Sequence, residues 1–151
     1  MILFKQKLLE QCIALLQQRA VEYKQAIDDA RMAQQSETKS SAGDKYETAR
    51  EMMTQQIETL SVQLTATERD LSLITGLLSD GKSTSVITRG SLVLTSAGMF
   101  LIAAGVGKVM FDEMSVQVVS PDSPLAKLLI GKSNREKIVL NGKEIVVEDF
   151  A

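Results

Sequence analysis

Apolar side chains at Leu9, Ile13, Leu16, Ala20, Tyr23, Ile27 and Ala30 are spaced alternately four and three residues apart, the interval that keeps one stripe of a helix facing a partner helix. A second such run follows at Met53, Ile57, Leu60, Leu64, Thr67, Leu71, Ile74 and Leu78. Between the runs, residues 34–43 are polar or small, carry no apolar period and end at Gly43, which predicts a reversal of the chain. Each stripe alone would face water, and doubling back lets each cover the other. Residues 1–79 are therefore expected to form a long antiparallel coiled-coil hairpin with its tip at about residues 34–47. A helix of about 33 residues is ~50 Å long at 1.5 Å per residue, and such a hairpin is too slender to enclose a pocket. A plain dimerisation coiled coil is the alternative that the seams alone allow.

Past residues 79–83 the period changes. Residues 86–88, 91–95, 99–103 and 116–119 are short β-prone runs, broken by Gly90, Gly98 and Gly105-Val106-Gly107. Pro121-Asp122-Ser123-Pro124 then introduces a short apolar helix over residues 125–130, with Ser123 as N-cap, Pro124 at the first helical position and Gly131 as the stop. Residues 137–140 and 144–147, joined by Asn141-Gly142, predict a hairpin. The fold class is thus α+β: the helical hairpin followed, over residues 84–151, by a small antiparallel β-sheet domain with one short helix.

Composition narrows what such a chain can do. Hydrophobic residues at 44% permit a core, and aromatics at 4% with no Trp favour helices cemented by Leu, Ile and Ala over a sandwich. A formal net charge of −2 provides no global basic field, so contact with nucleic acid would be local or made through a protein partner. With Cys12 alone, no internal disulfide or Cys-rich zinc site can form, and with no His there is no imidazole ligand, base or triad member. Cys12 lies beside Ile13 on the apolar side and is expected as a buried thiol. Lys5, Lys7 and Glu10 interrupt the start too early for a signal peptide, and no apolar run approaches a membrane span. A cytoplasmic protein without membrane contact is the expectation. Met52, Met53, Met99, Met110 and Met114 are expected as gap-fillers.

The run Ser120-Pro121-Asp122-Ser123-Pro124-Leu125-Ala126-Lys127-Leu128-Leu129-Ile130-Gly131-Lys132 is similar to the Ser-Pro-x-Ser-Pro-Leu-Gly-x-Ala-Leu-Leu-Gly-Lys signature of the GreA/GreB transcript cleavage factors. Gly90-Ser91 resembles that family's opening of the first long strand, Phe100-Leu101-Ile102 its Tyr-x-Ile-Val strand, and residues 142–147 its closing strand. Hairpin, loop, linker and C-terminal domain come in the same order over nearly the whole chain. The resemblance implies an FKBP-like C-terminal domain that docks at the rim of the secondary channel of bacterial RNA polymerase. It also implies a monomer whose hairpin enters that channel and reaches the RNA 3′ end.

The family carries acidic residues at its tip in a Gly-Asp-x-x-Glu-Asn-Ala-Glu-Tyr motif. This chain offers Gly43-Asp44-Lys45-Tyr46-Glu47-Thr48-Ala49-Arg50-Glu51, departing from it at Thr48, Arg50 and Glu51. A shifted register that pairs Tyr46 with the motif's Tyr leaves Lys39 and Ala42 opposite the two acids, and implies an inactive tip. In the first register, the resemblance implies that Asp44 helps hold a Mg²⁺ shared with the polymerase, bound only in the complex, while Glu47 orients or deprotonates the attacking water. The chain would then be no enzyme itself but a cofactor for the polymerase's own RNA hydrolysis, with no stably bound cofactor. The spacing alone has a plainer reading: Asp44 as N-cap and Glu47 three residues on form the capping-box pattern. Lys39, Lys45 and Arg50, with Lys24 and Arg31, are candidate contacts to RNA or polymerase near the tip, or members of a solvated helix face. Ser123 and Lys132 are the interface candidates of the C-terminal domain, where Leu125, Leu128 and Leu129 are expected in the core. A cleavage-inactive channel binder is the alternative that Thr48, Arg50 and Glu51 favour. A peptidyl-prolyl isomerase lacks its aromatic lining, since the domain offers only Phe100, Phe111 and Phe150.

Overall fold

The computed structural model describes residues 1–40 and 43–151, the side chains of residues 37–40 and 44 excepted. The chain divides into two compact units, residues 1–14 with 70–151, and residues 15–69. Two helices, α1 (Ile2–Ser40) and α2 (Asp44–Ser79), contribute to both. None of the described helices is long and apolar enough to cross a membrane.

Residues 15–69 form an antiparallel helical pair. Gln34 Nε2 donates to Thr54 Oγ1 at 3.1 Å, and Lys24 meets Glu68 at 3.6 Å, so partners rise in one arm as they fall in the other. Leu16, Ala20, Ile27 and Ala30 are buried along α1, and Thr67 is buried on α2. The rest of the α2 stripe, Met53, Ile57, Leu60 and Leu64, is half-buried, as expected where only one neighbouring helix covers it. Thr67 meets its own hydrogen-bonding need by donating to the Gln63 carbonyl at 2.8 Å. The polar stretch expected as loop from residue 34 is instead helical through Ser40. It lacks seam residues, but it also lacks Gly and Pro, and Gln, Glu and Lys are good helix formers.

The second unit carries a six-stranded sheet in the order β3-β4-β2-β1-β6-β5. The strands are β1 (Leu92–Thr95), β2 (Gly98–Ile102), β3 (Gly107–Phe111), β4 (Met114–Val119), β5 (Lys137–Leu140) and β6 (Lys143–Phe150). The sheet is mixed, because β2 and β4 run parallel, Met99 opposite Val116 and Ile102 opposite Val119. The chain leaves β2, passes over one strand position and returns as the β3–β4 hairpin, so that β4 fills the slot beside β2. β3 has no counterpart among the runs read from the sequence; its Val109 is buried while Lys108 and Met110 are exposed. Residues 86–88, read as a strand, join no ladder. The Ile87 N–H and C=O bond instead to the Lys132 carbonyl and the Gly131 N–H, both at 2.8 Å.

Helix α3 (Pro124–Leu129) covers one face of the sheet. Ala126 and Leu129 join Ile87, Val93, Ile102, Ile138, Ile145 and Val147 in one buried cluster, with Leu125 packed against it. Leu128, expected in the core, is 38% exposed, because a six-residue helix can turn only one narrow face inward. Leu92, Leu101, Val116 and Val118 alternate to the opposite face and are also buried. The start of α1 belongs to this unit: Phe4 meets Phe111 edge-on at 5.0 Å, and Gln11 donates to the Met110 carbonyl at 3.0 Å. Cys12 is buried there, as expected.

Candidate functional site at the hairpin tip

The first turn of α2 is organised by Gly43. Its backbone sits at φ +89°, open to glycine at little cost, and its carbonyl accepts from the N–H groups of Tyr46 at 3.1 Å and Glu47 at 3.4 Å. That places Gly43 in the N-cap position and Asp44 at the first helical residue, a correction to the expected cap. Three residues past the cap stands Tyr46, so Glu47 lies one position beyond where a capping-box carboxylate reaches back. Glu47 is exposed. The Asp-x-x-Glu pair therefore starts one residue inside the helix, where a carboxylate in the first turn is favoured by the helix dipole.

Tyr46 is half-buried and continues the α2 stripe toward the tip, in line with Ala49 and Met53. Arg50 Nη1 lies 3.4 Å from the Tyr46 hydroxyl, Thr54 Oγ1 donates to the Arg50 carbonyl at 2.9 Å, and Thr54 accepts from Gln34 of the other arm. Arg50 thus turns toward Tyr46. The sequence signal for this chain of contacts is the four-residue spacing of Tyr46, Arg50 and Thr54 along one helix face. Lys45 is exposed. The side chains of Asp44 and Lys39, and the whole of Ala42, lie outside the described residues. Among the described residues no three carboxylate or thiol groups gather into a metal-holding cluster, and Glu47 and Glu51 are both exposed near the tip.

The candidates of the sheet domain are occupied by local structure. Ser123 Oγ accepts from the Ala126 N–H at 3.2 Å and caps α3. Lys132 lies 3.5 Å from Glu136, whose carboxylate also accepts from the Ser133 N–H at 2.6 Å and hydroxyl at 2.9 Å. The backbone N–H of Ser133 is the largest of the influences holding the Glu136 carboxyl below its ordinary range, with the Ser133 hydroxyl next. Both candidates keep part of their surface exposed.

One grouping had no signal in the sequence: Lys5 from α1 and Lys82 and Arg89 from the 80–91 connection line one cleft. Comparison of the chain with models of known protein families finds no match, and neither does comparison with curated proteins.

Proposed function

We propose that the chain is a Gre-like factor of the bacterial cytoplasm that binds RNA polymerase, inserts its hairpin into the secondary channel and stimulates cleavage of backtracked RNA. The observation that supports this most is the exposure of Glu47 in the first turns of α2, which starts at the Gly43 carbonyl. The arms of residues 15–69 supply about 26 residues each, ~39 Å of helix, a stiff carrier for that turn. In this reading Asp44 adds a carboxylate to the polymerase's own metal ligands. Glu47 accepts a proton from the water that attacks the scissile phosphodiester. A Mg²⁺ held between the two proteins would stabilise the charge that develops on the phosphate oxygens.

Arg50 favours a second reading. Where the family motif carries an acid, this chain has a cation that turns to Tyr46 on the next turn of the tip helix. A factor of that kind would occupy the channel without cleaving. Purified chain added to a stalled, backtracked elongation complex with Mg²⁺ separates the two. Release of short 3′ fragments supports the first reading, binding without release supports the second, and absence of polymerase binding removes both.

A further inference from the structure

In the sheet unit, Lys5, Lys82 and Arg89 line a cleft of about 150 Å³. The ion pairs among the described residues are Lys24–Glu68, Lys132–Glu136 and Lys137–Glu144, so none of these three cations is matched by a carboxylate. Asp80 and the carboxyl end at Ala151 are the acidic groups on the lining, and neither forms an ion pair with these cations. Lys5 is half-buried, and burial alone pushes its ammonium below the ordinary lysine range. A cation that loses hydration without gaining a counter-charge is costly unless an anion supplies one.

The hydroxyls fit the same ligand. Ser91 Oγ accepts from the Thr88 N–H at 3.1 Å, which leaves its proton to donate into the cleft. Gly90, at φ +89° and with Leu77 only 3.0 Å from where a Cβ would stand, fixes the tight turn that presents Arg89 and Ser91 on either side. Lys5, Lys82 and Asp80 also border a larger groove of about 750 Å³, whose other walls include Leu9, Leu78 and Phe150.

We infer that this cleft binds the terminal phosphate of a small molecule, held by Lys5, Lys82 and Arg89, with the body of the ligand lying in the adjoining groove. The cleft has room for a phosphate group, and the adjoining groove has room for the body of a small ligand. A terminal phosphate carries two charges and enters end-on; a phosphodiester inside a polymer would have to thread the cleft. The net charge of −2 also disfavours a polyanion. Arginine contributes paired donors to the phosphate oxygens and the lysines contribute point charges. This inference does not depend on the polymerase reading.

Amide resonances of the full chain at low ionic strength, titrated with pyrophosphate, with ADP and with a ten-nucleotide RNA lacking terminal phosphates, test it. Saturable shifts at Lys5, Arg89, Gly90 and Ser91 are expected with pyrophosphate and ADP, and none with the RNA at equal phosphate concentration. The double variant Lys5→Gln/Arg89→Gln should bind about a hundredfold more weakly, and exposed Lys82→Gln about tenfold, as for loss of two and one charge-assisted contacts. Unmoved resonances elsewhere show that the variants fold. Absence of saturable shifts with both small ligands, undiminished binding in the variants, or RNA binding as tight as ADP would overturn the assignment.

Discussion

In the unit built on the sheet, eight side chains from Ile87 to Val147 close into one cluster that water does not reach, and a second buried set lies on the opposite face. In residues 15–69 the burial is one-sided. Four α1 residues and Thr67 are covered, while the α2 stripe from Met53 to Leu64 stays half-exposed. The sheet unit is specified from several directions at once, whereas the hairpin depends on a single seam. A long solvated surface is the consequence, and side chains such as Glu47 and Lys45 can change there with little effect on folding.

The sharpest way to break this contrast is a pair of truncations. Leu129→Ala in the sheet unit should cost about 3–4 kcal/mol, because a closed core cannot collapse around the cavity. Ile27→Ala in the hairpin should cost about 2 kcal/mol, because its seam opens to water and relaxes. Urea midpoints compare the two, and a reversed order would defeat the comparison. Gly90→Ala should cost about 1–3 kcal/mol, since alanine must adopt φ +89° and displace Leu77 Cδ2 at 3.0 Å. Thermal melting of this variant against Gly43→Ala, where φ is also +89° but no described residue beyond its chain neighbours lies within 4 Å, isolates the packing share. Ser123→Ala should cost about 1 kcal/mol through loss of the α3 cap, read from the same melting curves.

The smallest effect is the acid limb of stability. Glu136 is ionised more readily in the folded chain than its ordinary value of 4.5, so its contribution is complete above that pH and is lost as pH falls through the lower folded value. Glu136→Gln should flatten stability measured from neutral pH down through the carboxylate range. An unchanged slope would mean that the Ser133 bonds do not hold the carboxylate in solution.

Much of the fold was legible because local chemistry and tertiary structure agree. Asn141 and Gly142 take φ 51° and 77°, the pair of positive angles that an Asn-Gly turn announces, and β5 and β6 follow on either side. Ser123 caps α3 as its position before Pro124 implied. The β3–β4 hairpin was hidden because its turn is Asp112-Glu113, at φ 46° and 63°, where the sequence holds no Gly or Asn. Residues 86–88 have β-branched composition, but the bonding partners of Ile87 lie beyond α3, a long-range choice that no local pattern records. At the tip, the acidic spacing was visible while the cap was assigned one residue too late. A glycine carbonyl can start a helix as well as an aspartate side chain can. The Lys5–Lys82–Arg89 cleft was invisible because its members meet only through folding.

In the proposed function the tip acts through Asp44 and Glu47. The direct measurement is the rate of 3′ fragment release from a backtracked bacterial elongation complex, with wild type, Asp44→Asn and Glu47→Gln at equal polymerase occupancy. Release that falls by about 10²-fold or more in each variant, with melting temperature and binding unchanged, is the predicted result. Release that survives both substitutions, or that falls only because the variants melt early, would contradict it.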